Sequence, residues 1–216
     1  MTGPARKRIP ERADLNGITL IMEAAKRNLV QKIVECVEDG HSVNAVDNAG
    51  FSALLHAADT GSEEAALMLI HHKADMTHAD RAGRTGLVIA CENLMDQLVE
   101  RWVLNEGPLD AQEKTNGDTA LMVAIRKRNA WAAVRLVDAG ADFETLKNNA
   151  GETGESLGRL AFEGEDLKFF KLAIGRRREL AQALYKANID DITKAVTGKH
   201  KALPAPKPAS FRKKQS

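Results

Sequence analysis

The chain has little of several features that define common protein classes. Aromatic residues make up only 4% of its 216 residues, and cysteine occurs twice. No apolar run approaches the roughly 18 residues that a membrane span needs, so we expect no membrane span. The N-terminus is basic but lacks an apolar segment, so we expect no secretory signal peptide. The two cysteines, Cys36 and Cys91, are too few for a disulfide scaffold, and Cys91 is expected to be a buried thiol.

Residue clusters that could carry out chemistry are also scarce. His71 and His72 are adjacent and His78 is close to them, while His41 and His56 stand apart. A zinc site needs about four nitrogen or sulfur ligands within reach, whereas two histidines at a helix end can simply cap its last carbonyls. We find no arrangement typical of a nucleophilic triad and no glycine-rich phosphate loop. The sequence therefore predicts no catalytic residue, no metal, no cofactor and no enzyme activity.

The chain does have an internal repeat with a period near 33 residues. Its marker glycines are spaced 33, 33, 34 and 34 residues apart, at Gly17, Gly50, Gly83, Gly117 and Gly151. Two positions after each glycine stands a hydroxyl residue, namely Thr19, Ser52, Thr85, Thr119 or Thr153. Seven positions after it stands a small residue, namely Ala24, Ala57, Ala90, Ala124 or Gly158. Such a period indicates a stack of equivalent supersecondary units rather than one globular core.

One unit shows how the pattern predicts local structure. Residues 47–50 read Asp-Asn-Ala-Gly, which is turn chemistry, and Ser52 can then cap a helix. Small Ala57 and Ala58 lie on that helix and allow neighbouring helices to approach closely. A second helix with larger aliphatic residues follows Gly61 and is expected to fill the space between units.

The repeated segments resemble the ankyrin motif D-x-x-G-x-T-P-L-H-x-A-A, in the forms DLNGITLIMEAA, DNAGFSALLHAA, DRAGRTGLVIAC and NGDTALMVAI. The resemblance implies an all-α ankyrin-repeat solenoid with β-hairpin-like loops over residues 14–163. Its units are expected at 14–46, 47–79, 80–112, 113–147 and 148–163, the last being a degenerate cap with a polar face toward water. The motif's proline and histidine are replaced in every unit. We therefore expect a less rigid stack that lacks the side-chain bonds the family's histidine supplies.

The segments that flank the repeats are basic, whereas the middle of the chain is acidic. Residues 13–193 hold 20 basic and 29 acidic residues. The arm at 1–13 is expected to be irregular, and 164–197 to form C-terminal helices, a long one at 165–186 and a short one at 189–196. One of the two adjacent aromatics, Phe169 and Phe170, should face the last repeat. The tail at 198–216 is rich in Pro and Lys, so we expect it to be disordered.

The resemblance also places candidate binding residues. Turn tips and the ends of the first helices line a concave groove in ankyrin-like stacks, and at these positions stand Ile18, Lys26, Arg27, Phe51, Arg81, Arg84, Arg126 and Lys127. We expect Phe51 to be exposed and the arginines to make the groove locally positive; the alternative is that these are solvated tips, with Phe51 packed on a neighbouring turn. Aromatic residues and arginines commonly dominate binding energy. The basic tail could contact nucleic acid or an acidic protein through Lys199, Lys201, Lys207, Arg212, Lys213 and Lys214.

The resemblance implies a non-catalytic scaffold or adaptor that binds an unidentified protein partner through the concave face. Two alternatives stay open. The first is a subunit of a nucleoprotein or other anionic assembly that is held by its basic termini, and the second is a bacterial secreted effector. The expected location is cytoplasmic, with a mitochondrial or secreted one as alternatives. Glu11 and Asp14 count against a mitochondrial presequence.

Overall fold

The computed structural model describes residues 13–196, with side chains up to residue 187. Ten α-helices and no strand occur in this range, which confirms the predicted all-α class. They are α1 (Leu20–Lys26), α2 (Val30–Glu38), α3 (Ala53–Asp59), α4 (Glu63–His71), α5 (Gly86–Glu92), α6 (Asp96–Leu104), α7 (Ala120–Arg126), α8 (Ala130–Ala139), α9 (Gly154–Ala161) and α10 (Gly164–Val196). The chain forms two compact units that divide between Arg177 and Arg178.

Each short first helix begins at the hydroxyl residue that the sequence marks as its cap. The Ser52 hydroxyl accepts a hydrogen bond from Leu55 N at 3.3 Å, and Thr153 accepts one from Ser156 N at 3.2 Å. The turn before each helix needs a left-handed residue, and Gly50 supplies it with φ of 87°. Isolated bridges join Val46 to Ser52 and Ala79 to Thr85, so these two turns are hairpin-like.

Equivalent helices of successive repeats pack against each other in two layers. The first helices α1, α3, α5, α7 and α9 form one layer, and the second helices α2, α4, α6 and α8 form the other. Ala57 and Ala58 on α3 are fully buried between its neighbours. The small residue seven positions after the marker glycine is buried in all five units. This close contact creates one continuous core along the stack.

Asparagines between the two helices of a repeat supply side-chain bonds to neighbouring repeats. Asn28 Oδ1 accepts from Ala65 N at 2.9 Å, and Asn93 Nδ2 donates to Ala58 O at 2.8 Å. Asn129 Nδ2 donates to Asp96 Oδ1 at 2.7 Å. The motif's histidine is absent, and these asparagines supply other side-chain bonds between repeats. The lower rigidity of the stack stays a prediction.

The C-terminal segment is one helix rather than the predicted two. We expected a break after Lys186 and a new helix from Ile189, whereas α10 runs without interruption from Gly164 to Val196. The physical reason is that Ala187 and Asn188 include neither proline nor glycine, so nothing in the backbone stops the helix there. The part of α10 up to Arg177 belongs to the same compact unit as the repeats.

A glycine in the last repeat makes room for α10. Phe170 is 0% exposed, and its ring meets that of Phe162 edge-on at 5.3 Å between centroids. A Cβ on Gly158 would lie 2.1 Å from Phe170 Cε1, so only glycine fits at this position. The prediction that one of the two aromatics faces the last repeat is confirmed, since Phe170 packs against Gly158 whereas Phe169 is exposed. The expected polar face toward water is wrong at Gly158, because Phe170 covers it.

Replacing Gly158 with alanine should weaken the docking of α10, since the new methyl group would overlap the Phe170 ring. We expect Gly158→Ala to lower the free energy of unfolding by about 1–3 kcal/mol. Gly175→Ala is the matched control, because a Cβ there meets nothing within 4 Å. Removing a helical glycine should instead raise stability by about 0.5–1 kcal/mol. Urea unfolding measures both, and a Gly158→Ala chain as stable as wild type would contradict this packing.

Candidate functional site

The predicted binding residues lie along one stacked edge of the repeats. We call the turn tips together with the C-terminal ends of the first helices the recognition face. Backbone bonds join turn tips of the first and second repeats, where Asn48 N donates to Asn16 O at 2.9 Å, and of the fourth and fifth, where Asn149 N donates to Asn116 O at 2.8 Å. These bonds run from one repeat to the next, so the recognition face is an array of fixed backbone segments.

In each turn, an acidic or amide side chain accepts hydrogen bonds from backbone N–H groups of the same turn. Asp47 Oδ1 accepts from Ala49 N at 2.9 Å and from Phe51 N at 2.8 Å, while Asp47 Oδ2 lies 2.8 Å from His56 Nε2. Burial alone would raise the pKa of Asp47, but the bonds from Phe51 N, His56 and Ala49 N outweigh it. The pKa therefore lies below the ordinary value of 3.8. Equivalent turn bonds are accepted by Asp14, Asp80, Glu113 and Asn148.

The residue that follows each tip glycine changes chemistry from repeat to repeat. In chain order the five positions hold Ile18, Phe51, Arg84, Asp118 and Glu152. They thus change from apolar through cationic to anionic along an unchanged backbone. The bonds that hold the turn come from backbone N–H groups, so this side chain can differ between repeats, and those that are not buried, unlike Asp118, can contact a ligand.

Phe51 is half-buried, so the prediction of an exposed aromatic tip is wrong. Its ring lies 5.1 Å from the His56 ring between centroids, and Arg84 Cζ lies 5.9 Å from the Phe51 centroid. Phe51 also packs against the core, as does Ile18 in the first repeat. Only part of each side chain therefore remains available to a ligand.

Two of the predicted arginines have their charge compensated within the stack. Arg84 Nε donates to Asp80 Oδ2 at 2.9 Å, and Arg84 Nη1 donates to Glu92 Oε2 at 3.3 Å. Arg126 donates to Asp118 Oδ2 at 2.8 Å and to Glu152 Oε2 at 2.7 Å. The hydrogen bond to Asp118 is the main reason that the pKa of Arg126 is raised. The expectation that these arginines make the groove locally positive is therefore wrong.

The other predicted cations differ in whether they form ion pairs. Lys26 and Arg27 both reach Glu23, with nitrogen–oxygen distances of 3.9 and 2.6 Å. Arg81 and Lys127 are exposed, and neither forms an ion pair with any other residue in the range 13–187. Arg81 lies over the second repeat's turn, since a Cβ on Gly50 would be 3.2 Å from Arg81 Cγ. Arg81 is thus a free cation placed beside the turn that carries Phe51.

The basic termini fall almost entirely outside the described residues. These include the arm up to residue 12 and the tail residues Lys199, Lys201, Lys207, Arg212, Lys213 and Lys214. Within the described part of the chain, no group of three or more His, Cys, Asp or Glu is placed to hold a metal ion. No helix in this part is both long and apolar enough to cross a membrane. Cys91 is a buried thiol, as expected, and Cys36 is buried as well; burial raises the pKa of Cys91.

Sequence reasoning missed one prominent surface residue, Trp131. It is the second residue of α8, and the same register of the other second helices holds Gln31, Glu64 and Gln97. A tryptophan at a position that is otherwise polar signals an exposed aromatic, and the structure places Trp131 at the surface with 47% exposure. An alignment of the second helices is enough to find this position from the sequence.

The carboxylate of Asp47 should make the free energy of unfolding depend on pH in the acidic range. Because the pKa of Asp47 is lower in the folded state, the ionised carboxylate stabilises the fold at pH values above its unfolded-state pKa near 4. This contribution is lost as the pH falls through the folded-state pKa. Asn148 makes both turn bonds with an amide oxygen, so Asp47→Asn should keep the turn. We expect the urea midpoint of Asp47→Asn to fall less than that of wild type between about pH 5 and about pH 3. Identical acid dependence in the two chains would contradict this account.

Comparison with known proteins identifies the repeat. The family described as "Ankyrin repeats (3 copies)" matches residues 5–80. The helix pairs α5/α6 and α7/α8 lie beyond this match and continue it in the same register.

Curated relatives extend the similarity further along the chain. A B-cell lymphoma 3 protein homolog of Mus musculus is 30% identical over 145 residues, which is 66% of this chain and 32% of that protein. Protein phosphatase 1 regulatory subunit 12A of Mus musculus is 29% identical over 39% of this chain and 8% of its own length. A mitochondrial disaggregase of Bos taurus is 26% identical over 74% of this chain and 23% of its own length. The chain spans less than a third of each relative, and by its motifs, its stacked helix pairs and these matches it is an ankyrin-repeat protein.

Proposed function

We propose that this chain is a non-catalytic scaffold or adaptor that binds a protein partner on its recognition face. Ankyrin repeats are protein–protein interaction modules, and one relative is itself named as a regulatory subunit of a phosphatase. The observation that carries the proposal is the array of tip positions, where the backbone is fixed by Asx-type turns while the side chain differs in every repeat. Fixed backbone with variable side chains provides specificity at a low ordering cost.

The side chains of the second and third turns favour a particular partner chemistry. Phe51 offers part of its ring, and Arg81 next to it is a cation that forms no ion pair with the side chains described between residues 13 and 187. A segment with an apolar side chain and a neighbouring carboxylate would satisfy both. Arg84 and Arg126 would serve differently, because their guanidinium groups are already bonded to carboxylates. Their ion pairs make the surface more rigid, and their guanidinium groups offer a ligand directional hydrogen bonds rather than net charge.

Reversing the charge of Arg81 tests the proposal. The chain with Arg81→Glu and the wild-type chain would each be used as bait in lysate of the source cells, with bound proteins quantified by mass spectrometry and the affinity of the main partner measured by calorimetry. Arg81 is exposed, so the fold should be unaffected. We expect at least about tenfold weaker binding, as for an interface hot spot.

Lys171→Glu is the matched control for this experiment. It makes the same charge reversal at an exposed position of α10, away from the turns, and should bind the partner like wild type. If Arg81→Glu retains the same proteins at the same affinity as Lys171→Glu, the recognition face is the wrong surface.

A further inference from the structure

A second surface of the repeat unit, formed by second helices and the start of α10, is apolar and exposed. Leu104, Trp131 and Phe169 are 62%, 47% and 54% exposed and come from α6, α8 and α10. Large exposed apolar groups close together usually mark an interaction site. Only Phe169 had been singled out from the sequence, and the proposed function does not use this surface. We call it the Trp131 surface.

Two shallow cavities of this surface share Trp131 as a lining residue. The first, of about 360 Å³, lies between α6 and α8 and is lined by Arg101, Leu104 and Trp131 among others. The second, of about 310 Å³, lies between α8 and α10 and is lined by Trp131, Phe169 and Asp166 among others. Trp131 therefore separates an end that carries Arg101 from an end that carries Asp166.

Most charges around the Trp131 surface are neutralised internally. Arg135 Nε donates to Glu100 Oε2 at 2.5 Å, and Arg176 Nη2 donates to Asp138 Oδ2 at 2.7 Å. Asp96 accepts from Asn129. Arg101 and Asp166 are different, because neither forms an ion pair with another residue whose side chain the structure describes. The surface thus has one free cation at one end, one free anion at the other and aromatic side chains between them.

We propose that a second copy of this chain occupies the Trp131 surface and forms a two-fold symmetric dimer. A two-fold axis that lies in the interface plane, perpendicular to the line from Arg101 to Asp166, and passes close to Trp131 places each end of the surface against the opposite end of its partner. Arg101 then faces the partner's Asp166, and Phe169 approaches the partner's aromatic residues. An isologous interface must be self-complementary, and opposite free charges on either side of an apolar centre meet that requirement. The interface involves few side chains, so we expect association in the micromolar range rather than an obligate dimer.

Charge reversal with mixing tests this arrangement. Arg101→Asp alone or Asp166→Arg alone sets like charges against each other twice in the dimer, so each variant should associate at least about tenfold more weakly than wild type. In an equimolar mixture, the two variants pair opposite charges at both contacts. We expect the mixture to recover dimer near the wild-type level. Sedimentation velocity from about 1 to about 100 μM measures the dimer fraction in each sample.

The apolar centre is tested separately. Trp131→Ala should remove most of the dimer, while Leu15→Ala is the matched control, since Leu15 is an almost fully exposed residue on a turn tip of the recognition face. Circular dichroism would verify that both variants are folded. Wild-type chain that stays monomeric up to about 100 μM, or a mixture no more dimeric than its components, would overturn the proposal and leave the surface to a different partner. Arg81→Glu should dimerise normally, which separates this inference from the proposed function.

Discussion

The close approach of the first helices is the constraint on which the rest of the structure depends. Ala57 and Ala58 lie between α1 and α5 without exposed surface, and the equivalent pairs of the first, third and fourth repeats are buried as well. Side chains of this size let helix axes come together and bury aliphatic residues from both layers in one core. Removing apolar surface from water at about 25 cal/mol per Å² is then the main stabilising contribution to the repeats, because each of the helices α1 to α9 alone is too short to persist.

The recognition face follows from this packing. Because the first helices are held at a fixed spacing, the turns that lead into them also repeat at that spacing and can bond to one another through Asn48 and Asn149. Carboxylates such as Asp47 accept the backbone bonds that hold each turn, so these bonds do not depend on the side chain that follows the glycine. This division of tasks lets Ile18, Phe51 and Arg84 differ in chemistry while sharing one backbone. The proposed protein-binding function depends on that freedom.

Local features were predictable from the sequence because they depend on nearby residues. The turn before Gly50, the cap at Ser52 and the burial of Ala57 each follow from residue type and register alone. Gly158 was misinterpreted, because its role depends on Phe170, which comes from a helix outside the repeat pattern. The charges of Arg84 and Arg126 were misjudged for a similar reason, since Glu92 and Glu152 reach them only in the folded chain. Trp131 was overlooked although alignment of the second helices showed it.

The most direct test of the account measures how much the stack depends on the small residues between first helices. Equilibrium urea unfolding would compare Ala57→Arg with Ala49→Arg, which adds the same side chain at an exposed turn position. An unpaired charge forced between α3 and its neighbours should lower the free energy of unfolding by about 3 kcal/mol or more and broaden the transition, whereas Ala49→Arg should stay within about 0.5 kcal/mol of wild type. An Ala57→Arg chain that unfolds like wild type would contradict the central claim.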